Sequence, residues 1–222
     1  MKEEEIALKF GIDLESLKKE QTNLCKTLEL KDVIDFSDDI KIAAIENLIV
    51  NNSIISSVVV GKLEKGKFEV LEEEYFTEKL KFPYISEFRA YRELPAMFGA
   101  MDKLEETPDV VLISGEGINH IRLGMASHFS VATGIPSVGV SDISSEDFSV
   151  EGEYVFSAKK KVARVLKSKD KSRPLFVSPG NKISLETAYE LVKRLIFAPH
   201  KLPEPMHLAH KYAKEVRKEL GV

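Results

Sequence analysis

Two spacings of apolar residues organise this chain. Leu14, Leu17, Leu24 and Leu28 recur at helical spacing and predict an amphipathic helix over residues 13–28. Three extended segments follow, at 40–49, 53–63 and 67–76. Asn51-Asn52 and Lys65-Gly66 supply turn chemistry between them, so three consecutive hairpin strands are expected. Residues 81–87 read as a loop. Helical pattern resumes over 88–104, with Pro95 marking a break or a fresh start. The chain then alternates. Residues 110–113 read as a buried strand, 121–133 as a helix and 135–140 as a strand. Residues 154–157, 162–167 and 175–177 read as short strands. Ser184 caps a helix running to about residue 197, and Leu202-Pro203-Glu204-Pro205 opens a last helix.

A hairpin trio followed by alternating strands and helices is the pattern of a ribonuclease-H-like α/β fold, a mixed central sheet flanked by helices. With 222 residues and no internal repeat or low-complexity linker, one domain is expected. No apolar run reaches the roughly 18–20 residues that span a bilayer. The opening Met-Lys-Glu-Glu-Glu is too acidic for a secretory signal. The single Cys25 excludes an internal disulfide and a cysteine metal cluster. Cytoplasmic placement, with no membrane partner, is the resulting expectation.

Net charge is −4, which alone argues against nucleic acid. Its distribution argues otherwise. Residues 1–157 hold 16 Lys and Arg against 30 Asp and Glu, whereas residues 158–222 hold 16 against 6. The densest basic stretch runs from Lys159-Lys160-Lys161 through Arg164, Lys167, Lys169 and Lys171 to Arg173. Such asymmetry suits a nucleic-acid surface. A strand pair with solvated lysines reads equally well. Candidate chemistry lies at the end of the 110–113 strand, where Ser114-Gly115-Glu116-Gly117 and then His120 follow. Such strand ends are where α/β enzymes place reacting groups. Here the terminal residue, Ser114, is neutral.

Five ordered segments together resemble the endonuclease V family. They are Lys81-Phe82-Pro83-Tyr84-Ile85 with Phe88 and Arg92-Glu93-x-Pro95-Ala96; Gly115-x-Gly117-Ile118-x-His120-x-Arg122 with Gly124-x-Ala126-Ser127-His128; Ile135-Pro136-x-x-Gly139-Val140; Pro174-Leu175-x-Val177-Ser178-Pro179-Gly180 with Ile183-Ser184-Leu185-Glu186-Thr187-Ala188; and Leu202-Pro203-Glu204-Pro205 with Leu208-Ala209-His210. The resemblance implies a ribonuclease-H-like fold and a nuclease that cuts near deaminated purines, chiefly inosine, in DNA or RNA. It implies carboxylates holding Mg²⁺ or Mn²⁺, because a hard cation takes oxygen ligands and activates water. It favours a monomer.

Carried over residue by residue, the resemblance makes Glu46, in Ile42-Ala43-Ala44-Ile45-Glu46, the counterpart of the family's first metal aspartate, one methylene longer. Asp35, in Val33-Ile34-Asp35-Phe36-Ser37, is a weaker match. Glu93 matches the second carboxylate, and Arg92 is a phosphate contact. Ser114 stands where the third carboxylate belongs. Glu116 either restores that charge or is a solvated turn residue. Asp142 falls near the family's lysine and either joins a rebuilt metal site or repels phosphate. Asn181 replaces an expected histidine and cannot shuttle protons near neutral pH. His120 is retained for catalysis with Glu46 and Glu93. Pro83, Tyr84 and Ile85 match the wedge that enters the duplex, with Tyr84 stacking where the extruded base was. Gly115 and Gly117 let backbone approach that base. Glu46, Glu93, Glu116 and Asp142 form the expected metal set. A homologue that binds nucleic acid, or regulates a partner, without cleaving is the alternative, and a general interaction protein on this scaffold is a third reading.

Overall fold

The computed structural model describes residues 3–36, 39–142 and 148–222. Among these described residues, nine strands form one mixed sheet. In chain order they are β1 (Lys41–Val50), β2 (Ser53–Glu64), β3 (Lys67–Lys79), β4 (Val110–Ser114), β5 (Ser137–Ser141), β6 (Ser149–Glu151), β7 (Tyr154–Ser157), β8 (Lys160–Leu166) and β9 (Leu175–Asn181). Their spatial order is β3-β2-β1-β4-β5-β9-β8-β7-β6. The hairpin trio β1–β3 is antiparallel, β1, β4 and β5 are parallel, and β9 returns antiparallel beside β5. The helices are α1 (Glu3–Phe10), α2 (Leu14–Cys25), α3 (Arg89–Met101), α4 (Met125–Thr133), α5 (Leu185–Arg194) and α6 (Glu204–Glu219). The ribonuclease-H-like arrangement expected from the sequence is the one formed.

Alternation along β1 distributes the core between the two faces. Ile42 and Ala44 pack with Ala188, Leu191, Val192, Met206 and Ala209 of α5 and α6. Ala43 and Ile45 pack with Leu94, Met97 and Phe129 of α3 and α4. β4 is covered on both faces, so Val110–Ile113 is apolar without alternation and fully buried. At roughly 1.5–3 kcal/mol for each large side chain buried, these layers dominate folding. They also fix where β4 and β5 end, which is where the cleft lies.

Several elements differ from the pattern reading, among them the short edge strand β6, which the pattern does not predict. α3 runs unbroken through Pro95, although the ring removes one helical hydrogen bond. The buried Leu94, Ala96 and Met97 anchor the helix to the sheet on either side of it. α4 begins at Met125, four residues later than expected. The preceding loop folds on itself: Gly117 N–H donates to Asn119 Oδ1 (2.9 Å), Ile118 N–H to Pro179 O (2.9 Å) and Ala126 N–H to Glu116 O (2.9 Å). α1 is an additional helix. Its Ala7 is buried against Ile85 and Phe88.

Candidate nucleic-acid and catalytic site

Glu46 sits on β1 one residue past the last pair with β4, Ile45 with Ile113, and so level with Ser114. It shares the sheet face of Ile42 and Ala44, opposite α6. There it borders a cleft of about 290 Å³ with Arg89, Ser114, Gly115, Glu116, Asp142, Leu202 and His210. Burial pushes its carboxyl up to about 7. The Arg89 charge and the Ser114 hydroxyl hold it from rising further. A carboxyl titrating near neutrality can take a proton from water.

Glu93 arrives from the other face, on α3. Its Oε1 accepts from Arg89 Nε (2.6 Å). Its Oε2 accepts from Asn47 Nδ2 (2.8 Å) and Arg89 Nη2 (3.2 Å). Arg89 Nη2 also donates to the Ser114 carbonyl (3.0 Å). The Glu93 side chain is 4% exposed. Arg89, not Glu93, therefore lines the cleft. Neither Arg89 nor His210 stands out in the sequence as a site residue. The signal for Arg89 was its place four residues before Glu93 on one helix, which is ion-pair spacing. That for His210 was its place in the last family segment.

The expected metal set gathers only in part. Glu46, Glu116 and Asp142 share the cleft, but Asp142 is exposed and its Oδ2 lies 3.4 Å from Lys201 Nζ. Among the described residues, no three of His, Cys, Asp and Glu come together to hold an ion. Both Glu93 oxygens already accept hydrogen bonds, and Ser114 brings no charge. The donor set formed here does not fit Mg²⁺ or Mn²⁺, which demand several well-placed oxygens.

The structure also reassigns other candidates. Asn181 lies outside the cleft: it is buried, and its Oδ1 accepts the Glu29 N–H (2.7 Å). It fastens the segment that follows α2. Asp35 lies in the segment before β1, against α5. Ile85 is 1% exposed and packs on α1, so it anchors the loop and cannot itself enter a duplex. Tyr84 is 59% exposed at the tip. The Arg92 guanidinium carbon lies 5.8 Å from the Tyr84 ring centre. Arg92 thus stands beside the tip rather than in the cleft. Gly115 lines the cleft. Gly117 is required by packing, since a Cβ there would meet the Pro179 carbonyl at 2.2 Å. It offers no open approach for a base. His120 Nδ1 accepts the Arg122 N–H (3.1 Å), leaving Nε2 to carry the proton of the neutral ring. Burial lowers its pKa, and Glu116 opposes that shift.

The cleft thus gathers acidic and basic groups near the carboxyl ends of the parallel strands, the crevice in which open α/β sheets bind their ligands. The family described as Endonuclease V matches residues 19–211. The Endonuclease V of Thermosipho melanesiensis is 34% identical over 171 residues, 73% of this chain and 75% of that protein. The chain belongs to the endonuclease V family. Its fold superposes on the catalytic domain of human Endonuclease V with a TM-score of 0.84 and 28% identity, covering 94% of this chain and 97% of that one. It also shares the fold of the Ciona intestinalis Endonuclease V crystallised with a 24mer DNA containing an inosine followed by a ribo-adenosine. That likeness has a TM-score of 0.82 and 24% identity, and it covers 93% and 98%.

Proposed function

We propose that this chain binds a nucleic-acid strand at a deaminated purine, inosine first of all, and hydrolyses a phosphodiester bond near it. The observation that carries this reading is the exposed Tyr84 ring, carried on the loop that leads into α3, together with a cleft bordered by Glu46, Glu116 and Arg89, the first residue of α3. Family membership supports this choice of substrate class. Tyr84 stacks in the space the base leaves, Arg92 supports the ring from behind, and Glu46 takes the proton from the attacking water. The proposed role of His120 is to orient the Glu116 side of the cleft.

Recognition without cleavage is the second reading. It is favoured by the neutral Ser114 at the end of β4 and by the pairing of Glu93 with Arg89.

One experiment separates the two. An end-labelled oligonucleotide with a single inosine, and its adenosine control, are incubated with Mg²⁺, with Mn²⁺ and with EDTA. Cutting near inosine that disappears in Glu46→Gln supports hydrolysis. Inosine-selective binding with no cutting under any condition moves the assignment to the second reading. Equal binding to both oligonucleotides, with no cutting, overturns both.

A further inference from the structure

We infer that Arg89 is the resident cation of this cleft. It neutralises Glu93 and offers its remaining guanidinium edge to a phosphodiester oxygen of the bound strand, so strand binding there requires no divalent ion.

The donor inventory carries the inference. A guanidinium has five N–H groups in a fixed plane and no acceptor. Nε and Nη2 are committed to Glu93 and to the Ser114 carbonyl at 2.6–3.2 Å. These contacts lock the plane between α3 and the end of β4. Nη1 donates no hydrogen bond among the described residues. It lies 3.8 Å from the point where a Cβ on Gly115 would be, on the wall of the cleft. A Cβ there would be in ordinary contact with Nη1, and the Arg89 side chain keeps 34% of its surface exposed. The surrounding carboxylates stabilise the guanidinium charge. Glu93 and Glu116 both act on the Arg89 charge, and Arg89 acts on Glu46. A divalent ion that used Glu93 would have to displace Arg89 from its oxygens. It would also have to sit against a fixed positive charge, so the two cations exclude one another. Arginine suits the exchange, because its fork matches carboxylate and phosphate geometry alike.

The inference rests on the proposed reading only in taking a nucleic-acid strand as the ligand. Two measurements on the purified full chain test it. In the first, Mn²⁺ alone is titrated calorimetrically. The wild type is expected to show no saturable sub-millimolar site. Arg89→Met, which keeps the length of the side chain and removes its charge, should gain one, and Arg89→Met with Glu93→Gln should lose it again. Wild-type Mn²⁺ binding that disappears in Glu93→Gln would overturn the inference. In the second, binding of the inosine oligonucleotide is measured in EDTA. The wild type should bind, and Arg89→Met should bind roughly ten- to hundredfold more weakly, the worth of a hydrogen bond to a charged group. Unchanged affinity in that variant, or no wild-type binding in EDTA, overturns it. Should Arg89→Met fail to fold, Arg89→Lys serves in the second arm: it keeps one charge but cannot hold Glu93 and Ser114 together, so affinity must still fall. Binding in EDTA that does not distinguish inosine from adenosine sinks the proposed substrate and leaves the role of Arg89 standing.

Discussion

At the scale of single residues, exposure separates groups that act from groups that hold. Tyr84 projects while its neighbour Ile85 is buried, so Tyr84→Ala removes surface without opening the core. On the proposed reading it weakens binding to the inosine strand by about 1–3 kcal/mol, the worth of one base stacked on a ring. Its melting temperature stays within a degree or two of wild type. Unchanged affinity in a filter-binding series would remove Tyr84 from recognition. His128 does the opposite work. Its ring lies edge-on to Tyr91 with centres 5.1 Å apart, and its Nδ1 has no hydrogen-bond partner among the described residues. Burial lowers its pKa from 6.5 to about 4. Above pH 6.5 the ring is neutral in both folded and unfolded chains and costs nothing. Between 6.5 and 4 only the unfolded chain takes the proton, so stability falls as pH drops through that window. The loss is on the order of 3 kcal/mol when complete. Urea unfolding at pH 7.5 and 4.5 should therefore show a smaller acid loss in His128→Phe than in wild type. Equal losses would mean the ring is not held neutral.

At the scale of elements, the aromatic tip is aimed by helices distant from it in sequence. α2 is capped by Asp13, whose carboxylate accepts the N–H groups of Glu15 and Ser16 at 3.1 Å. It then delivers Gln21, fully buried, to the turn at Ser86–Phe88. Gln21 Nε2 donates to the Glu87 carbonyl (3.0 Å), and its Oε1 accepts from Arg122 Nε (2.8 Å). Arg122 also pairs with the Glu87 carboxylate and lies over the Phe88 ring, 5.2 Å from its centre. Gln21→Ala leaves a buried donor and acceptor unmatched, which costs roughly 1–3 kcal/mol. It also frees the loop that carries Tyr84. Thermal melts should show the first effect. Inosine selectivity in competition binding should show the second, with affinity for the inosine strand falling more than affinity for the adenosine strand. Loss of stability with selectivity intact would confine α2 to a structural role.

At the scale of the whole molecule, charge is divided by topology. The basic last third builds β8, which lies next to the edge strands β7 and β6, and then β9, α5 and α6. Lys159, Lys160, Lys161, Lys167, Lys169, Lys171 and Arg173 are exposed there. Arg164 differs from the rest: it is tied to Glu153 and Glu186 and lies over the Tyr189 ring. If the exposed lysines meet backbone phosphates, replacing Lys159, Lys160 and Lys161 by Ala should flatten the slope of log affinity against log salt by up to about 3. Inosine selectivity should be unchanged, since phosphate contacts carry no base information. A slope identical to wild type would leave these lysines as a solvated edge. No helix among the described residues is long and apolar enough to cross a membrane.

Much of this protein was determined by its sequence alone. The hairpin trio, the alternating strands and helices and the family were legible because each depends on local periodicity or on ordered motifs. Binary patterning survives any detail of packing. The unbroken α3, the late start of α4 and the added α1 were decided by tertiary contacts. Pro95 is carried by the sheet beneath Leu94 and Met97, the 115–124 loop is pulled onto β9, and α1 is held by Ile85. The site divided in the same way. Glu46, Glu116 and Asp142 were placed together by strand order, which the pattern reveals. Asn181 and Ile85 left the site, and Gly117 became a packing residue, because a side chain's direction and neighbours come from elements far away in sequence. Arg89 is the sharpest case. Its pairing with Glu93 needs only helical spacing, but its reach to the Ser114 carbonyl needs α3 laid across the end of β4. Only the folded chain brings those two ends within 3.0 Å.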